Sequence, residues 1–357
     1  MPPCYHVSGA MVVIDGAQKG GSGTIVRTGV ALAALLGEPL HLINIRAKRQ
    51  PPGLRPQHLK AVEAAAALCG GRVEGAKVGS RELMFWPGPR LRGREYDWDI
   101  GTAGSTTMLA LTLLPLAAFA DGPSTFRLQG GLFQDMAPSA FHTQEILLPL
   151  LRRMGLEAEL TVVRPGYVPR GGGIIHLRVQ PVRGKLHPLR LEGQRPPWRL
   201  WGIALSSHLR QRRVSERMAE ECQRVLASRG LKAHFECLYD VTAPQAGAAL
   251  ALFAHDQGNC LLGADRAGAP GRPSEAIGRE VAHMLLEDMD SGATCDRHLA
   301  DQLITFAALA EGESMWVVPS VTDHVETNIW LVSSVLGAHV SLEGRLLRIK
   351  GVGYART

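Results

Sequence analysis

The sequence predicts an α/β (α+β) fold: three βαβαββ repeats forming a large domain, with a smaller α/β domain inserted in the third repeat. Three observations carry that expectation. Three amphipathic stretches end alike, in a bulky residue followed by glycine, at Gly70, Gly155 and Gly337. The same kinds of element flank each of them. The intervals between these glycines are unequal, 85 residues and then 182, which leaves roughly one hundred surplus residues in the third unit, enough for a domain.

The elements follow in order. The stretches RPQHLKAVEAAAALCG, APSAFHTQEILLPLLRRMG and SVTDHVETNIWLVSSVLG read as helices closed by a left-handed glycine. In the third, Val325, Ile329, Val332 and Leu336 recur at helical spacing. A short strand precedes each helix: LHLINIR (40–46), STFRLQG (124–130) and SMWVVPS (314–320). Two β-like runs follow each: RVEGAKV and ELMFWPG, AELTVV and IIHLRV, HVSLEG and RLLRIKG. Before each strand lies a further helix, at 22–37, 105–120 and 300–309. The surplus residues fall between about 185 and 291, bounded by the proline-rich GQRPPW and GAPGRPS, with helices of their own near 215–229 and 274–288. The expected division is therefore 1–184 with 292–357 for the large domain and 185–291 for the insert.

Composition narrows the class. Of 357 residues, 45% are hydrophobic and 20% charged, as in a globular protein. A net charge of +6 and a pI near 9.1 favour an anionic partner such as nucleic acid or nucleotide. The six cysteines (Cys4, Cys69, Cys222, Cys237, Cys260, Cys295) include no Cys-x-x-Cys pair, so neither a disulfide framework nor a zinc site is expected. The first ten residues, MPPCYHVSGA, do not read as a signal peptide. The most apolar run, 108–120, is too short to span a bilayer. The expected location is the cytoplasm, or the nucleus of a eukaryote, with no membrane partner.

Candidate chemistry gathers at a few turns. Glycine-rich turns, KGGSGT (19–24) and GTAGSTT (101–107), open the first helices of the first two repeats. Such turns let a backbone approach a phosphate at a helix N-terminus, and neither ends in the Gly-Lys-Ser/Thr of a P-loop. Arg46, Lys48, Arg49 and Arg55 crowd a loop containing Pro51 and Pro52, a cluster suited to phosphates. His324 lies in the first turn of its helix after Ser320 and Asp323, read as a capping box. A helix N-terminus keeps an imidazole unprotonated and nucleophilic near neutral pH.

Taken together, these segments resemble the RNA 3′-terminal phosphate cyclase family over nearly the whole chain outside the insert. The resemblance rests on six ordered motifs: IDGAQ (14–18) with the glycine turn and Arg27, IRAKRQPPGLRPQHL (45–59), DIGTAGSTT (99–107), GYVPRGGG (166–173), HLADQL (298–303) and HVETN (324–328). It implies the three-repeat architecture with an insert. It also implies ATP-dependent conversion of an RNA 3′-phosphate to a 2′,3′-cyclic phosphate, with His324 carrying AMP covalently. By the same resemblance His298, Asp301 and Gln302 line the nucleoside pocket, and Arg27, Arg46, Arg49 and Gln57 handle the phosphates and the RNA end. ATP, a divalent metal (Mg or Mn) and RNA 3′ ends are the implied partners.

The chain departs from the family pattern near the nucleotide. Where the family turn reads G-E-G-G-G-Q, with a metal-binding glutamate, this chain has Gly20 at the glutamate and Thr24 at the glutamine. The metal ligands are therefore unassigned, with Lys19 considered as a partial substitute for the cation. In GGLFQDMAP (130–138), Gln134 and Asp135 stand where the family has an Asn-Pro pair, and HDQGNCLLGAD (255–265) is shorter than its family counterpart. Two readings follow: an active cyclase, or a catalytically impaired cyclase-like RNA-binding or ribosome-assembly protein. The retained His324 favours the enzyme. An enolpyruvyl transferase, built from six such units, fits less well.

Overall fold

The computed structural model describes residues 11–135 and 137–355. The amino-terminal stretch read for a signal peptide, with Cys4, and Met136 of the 130–138 loop lie outside them. In the first repeat β1 (Val12–Asp15), α1 (Gly23–Leu36), β2 (Leu40–Ile43), α2 (Pro56–Cys69), β3 (Arg72–Glu74) and β4 (Leu83–Trp86) run in the expected order. The second repeat comprises β5 (Glu95–Asp99), α3 (Thr106–Ala118), β6 (Ser124–Gly130), a composite helix, β7 (Ala158–Arg164) and β8 (Gly173–Val179). Its composite helix is α4 (Ala140–His142), a π-helical turn (Thr143–Leu147) and α5 (Leu148–Arg153), because Pro149 removes a backbone donor. Each sheet has the strand order first-second-fourth-third, with the first pair parallel and the rest antiparallel.

The insert's elements come next: β9 (Arg199–Ser207), α6 (Val214–Ala227), β10 (Ala233–Asp240), β11 (Gly247–His255), β12 (Leu261–Ala267) and α7 (Ser274–Asp290). They form a separate sheet, ordered β10-β9-β11-β12, over a distinct core around Met218, Leu252 and Val281. The third repeat resumes with α8 (Leu299–Leu309), β13 (Glu311–Val317), α9 (Asp323–Leu331) with a π-helical turn (Val332–Leu336), β14 (His339–Glu343) and β15 (Leu346–Val352). Where its sisters have a first strand, this unit shows a single parallel bridge, Arg190 to Met315. Leu186, Leu189 and Leu191, within the segment expected as insert, join the larger core.

Local chemistry explains most of the element ends. Gly37, Gly70 and Gly337 close their helices at φ of 71°, 65° and 73°, conformations that cost a side chain strain. Strand β2 ends sooner than the run LHLINIR suggested, because Asn44 and Arg46 turn the chain at φ of 52° and 51°. The cap of α9 is Thr322, whose hydroxyl accepts from the Val325 amide at 3.3 Å; Ser320, expected in that role, lies too early. The first helices of the repeats, α1, α3 and α8, are buried almost all round, as helices apolar on every face must be. The run 108–120 is accordingly a core helix, and no helix among the described residues is long and apolar enough to cross a membrane.

One buried polar knot joins the units. Asp296, fully buried, accepts from His142 Nε2 at 2.9 Å, from the Gly263 amide at 2.8 Å and from the amides of His298 and Leu299 at 2.8 and 2.9 Å. It thereby ties α4, β12 and the start of α8 together. Burial alone would neutralise both partners, yet their mutual attraction holds Asp296 below and His142 above its ordinary value. A depressed carboxylate stabilises the fold above its ordinary pKa of 3.8, and a raised histidine stabilises it below 6.5, so the pair contributes most between those values. Asp296→Asn should cost about 3 kcal/mol near pH 6 in chemical denaturation, the scale for a broken buried pair. The deficit should shrink as pH rises through the raised value of His142; a deficit flat with pH would mean that His142 is neutral.

Candidate active site

Six helix starts from the three repeats face one cleft of about 470 Å³. The Ser22–Thr24 turn opens α1, Gln57 and His58 lie in the first turn of α2, and Ser105 caps α3. Pro138 precedes the cap of α4, His298 starts α8, and Thr322 caps α9 just before His324. Each start carries free N–H groups and a partial positive charge, so their convergence builds an anion site from backbone alone.

The eight residues that the resemblance assigns to the site line this cleft: His298, Asp301, Gln302, Arg27, Arg46, Arg49, Gln57 and His324; Lys48 and Arg55 of the same basic loop do not. Arg27 is buried, and loss of water lowers its pKa from 12.5 to about 10. Its Nη2 donates to Thr24 Oγ1 at 3.3 Å, and Thr24 Oγ1 meets His324 Nδ1 at 3.1 Å. Arg49 Nε donates to the Gly20 carbonyl at 3.0 Å, clamping the glycine turn. Arg46 Nη1 donates to the carbonyls of Pro51 and Gly53 at 2.8 and 3.0 Å, and the neighbouring Arg55 and Arg49 add to the desolvation that lowers its basicity. Gln57 Oε1 accepts from the Ser105 amide at 3.0 Å, tying the first repeat's arginine loop to the second repeat's helix start.

The imidazole of His324 opens onto the cleft and is less basic than usual. Partial loss of water comes first, then repulsion from Arg27 and Arg49, with Asp323 opposing. The sequence predicts the same direction from the helix terminus, whereas burial and the two arginines are what lower it here. On the opposite wall, Asp301 is pushed up to about 7 by removal from water, which the charge of Arg27 only partly offsets. Its Oδ2 accepts from Asn328 Nδ2 at 3.2 Å, while Asn328 Oδ1 accepts from Thr28 at 3.1 Å. Gln302 is buried, and its Oε1 has no hydrogen-bond partner among the described residues. His298 Nε2 lies 3.7 Å from Asp265 Oδ1, a carboxylate of the insert.

Three residues of the site were not singled out. His58 sits under the α1 turn so closely that a Cβ at Gly23 would fall 2.0 Å from its Nε2, which makes glycine obligatory there. Burial, with Arg27, Arg46 and Arg55, drives the His58 pKa down to about 2, so the ring is neutral. Thr24 was noted only as a departure, and Asn328 only as the end of a motif. Its place four residues after His324, on the same helix face, was the available signal.

The metal implied by the resemblance does not fit a set of protein ligands here. No group of three histidine, cysteine or acidic side chains among the described residues could hold one. A Cβ at Gly20 would lie 3.0 Å from Asp323 Oδ2, so a longer acid there would meet a like charge. The cleft's own carboxylates are engaged: Asp301 as above, and Asp135 in a two-point pair with Arg272 at 3.1 and 2.8 Å. Lys19 does not line the cleft; its carbonyl accepts from Lys48 Nζ at 3.2 Å.

Comparison with known proteins gives the chain a family. Residues 18–342 match the family model for RNA 3′-terminal phosphate cyclase. A protein of that name from Hyperthermus butylicus is 41% identical over 96% of this chain and 99% of its own. Namesakes from Methylococcus capsulatus and Methanopyrus kandleri are 40% and 36% identical, covering 89% and 94% of this chain and 89% and 96% of their own. Among solved structures, the enolpyruvyl transferase NikO from Streptomyces tendae aligns at a TM-score of 0.25 and 21% identity, over 47% of this chain and 31% of that one, too distant to bear on either point. The chain thus belongs to the RNA 3′-terminal phosphate cyclase family.

Proposed function

We propose that the protein is an ATP-dependent RNA 3′-phosphate cyclase whose nucleophile is His324. The observation that carries this reading is a weakly basic imidazole placed among cations and helix N-termini in the cleft. With Nδ1 protonated and donating to Thr24 Oγ1, Nε2 keeps its lone pair for attack. That lone pair forms a bond to the α-phosphorus of ATP as the bond to the bridging oxygen breaks, and pyrophosphate leaves with those electrons. An oxygen of the RNA 3′-phosphate then takes the AMP, returning the lone pair to Nε2. Finally the vicinal 2′-oxygen attacks the activated 3′-phosphorus, expels AMP and gives its proton to solvent. The last step lies within one ribose and needs positioning more than new chemistry.

The site residues divide the labour. Arg27, Arg46, Arg49 and Gln57 bind and orient the phosphates and the RNA end, and cationic side chains offset charge spread over the transferring group. His298, Asp301 and Gln302 receive the nucleoside, where the unpartnered Gln302 Oε1 is an acceptor waiting for a donor. A divalent metal would neutralise the ATP phosphates, and no step here is assigned to it. The impaired-protein reading is not favoured, since the nucleophile and its positioning contacts are intact.

Three outcomes test the proposal. Incubation with α-labelled ATP should leave label on the protein, and His324→Ala should leave none; an equally labelled variant would exclude this nucleophile. Because only neutral imidazole attacks and its pKa is depressed, the single-turnover labelling rate should fall only below pH 6.5. A midpoint above 6.5 would contradict the depression. Arg46→Ala should weaken binding of 3′-phosphorylated RNA by about 1–3 kcal/mol more than 3′-hydroxyl RNA, the scale of a charged hydrogen bond. Equal losses would reduce Arg46 to a general backbone contact.

A further inference from the structure

A second cleft, of about 530 Å³, lies where the GYVPRGGG loop meets the insert. Its size is that of a ligand site rather than a packing defect. The loop is anchored firmly. Tyr167 OH bonds Ser207 Oγ at 2.9 Å in the interior, the Arg170 amide donates to Gln245 Oε1 at 2.9 Å, and Gln245 Nε2 returns a bond to the Val168 carbonyl at 2.9 Å. A Cβ at Gly247 would fall 2.3 Å from the Tyr167 ring. The cleft is thus a fixed feature of the junction.

Its lining has a consistent chemistry. Arg212, Arg217 and Arg272 face it, and no acidic residue does. Arg217 and Arg272 are each held by a carboxylate outside the lining, Glu275 at 2.8 Å and Asp135 at 2.8 Å. Arg212 is exposed and makes no ion pair among the described residues. Its short turn is steadied by its neighbours: His208 Nε2 lies 2.7 Å from the Ala243 carbonyl, and Arg210 stacks 5.3 Å from the Tyr239 ring. Apolar surface from Pro169, Pro270 and Pro273 completes the wall. The Asp135–Arg272 pair separates this cleft from the active site, because Asp135 lines one and Arg272 the other.

We infer that this second cleft holds the single-stranded RNA upstream of the 3′ end, with Arg212 as its unpaired phosphate contact. The inference rests on the proposed RNA substrate, since a strand ending beside His324 has its preceding nucleotides to accommodate. A groove with one uncompensated arginine, no acid in its lining and apolar patches suits a phosphate backbone whose bases rest on flat surface, without reading sequence. GYVPRGGG, a motif without a role in the chemistry, then serves to build this groove.

The test is direct binding by fluorescence anisotropy, with a 3′-hydroxyl oligonucleotide of mixed sequence as probe, so that no turnover is required. The wild-type protein should bind a dodecamer more tightly than a dinucleotide. Arg212→Glu, at an exposed position that leaves folding undisturbed, should weaken the dodecamer about fivefold more than the dinucleotide and make the log–log salt slope shallower by about one. Equal losses at both lengths, or an unchanged dodecamer affinity, would overturn the inference. If dodecamer binding depends on Arg212 while no 3′-phosphorylated RNA is cyclised, the groove stands and the cyclase reading falls. If cyclisation proceeds without that dependence, the reverse holds.

Discussion

Everything in this molecule hangs on the convergence of helix N-termini at one cleft. A βαβαββ unit has two helices that start on the same side of its sheet, and three units brought together pool six such starts. The backbone field that results is positive before any side chain is counted. Arg27, Arg46 and Arg49 then add charge to a region that already has it, and loss of water first, with repulsion from neighbouring arginines second, lowers the basicity of Arg27 and Arg46. Such an arrangement is relieved only by an anion. A polyphosphate and an RNA terminus are anions of the required extent.

The three units are alike in backbone and unlike in chemistry. The first supplies the arginines and Thr24, the second the Ser105 cap and the Gln134–Asp135 wall, the third His298, Asp301 and His324. Gln57 crosses from the first unit to the second, while Thr24 and Thr28 cross from the first to His324 and Asn328 of the third. The site therefore cannot form within one repeat. The insert enters between the Arg190 bridge and α8, and its Asp265 reaches both His298 and the Ser139 amide at the start of α4.

The repeat order was legible because it follows from local rules: glycine at helix ends, serine at helix starts, periodic apolar faces; most of the cleft's residues were legible only through the family motifs that carry them. What escaped depended on tertiary context. Strand β2 is four residues long because Asn44 and Arg46 turn left-handed; asparagine tolerates that conformation, but nothing in Arg46 announced it. The third unit's first strand shrank to one bridge where the chain departs for the insert. His58 resembled any helix-start histidine until the fold placed it beneath Gly23. The knot at Asp296 joins residues more than one hundred and fifty positions apart, beyond any spacing argument.

The departures from the family turn acquire a common sense from this electrostatics. An acidic side chain at Gly20 would stand against Asp323, one residue before His324, and would raise the proton affinity of the His324 ring. With glycine there, the charges that act on the imidazole are chiefly Arg27 and Arg49, both of which lower its basicity. Under the proposed function, the cations that would attract the phosphates are the same ones that lower the basicity of His324. Thr24 completes the arrangement by linking Arg27 to Nδ1, so that a single residue couples the anion site to the orientation of the ring. Under the proposed function, substrate recognition and nucleophile activation become one electrostatic device.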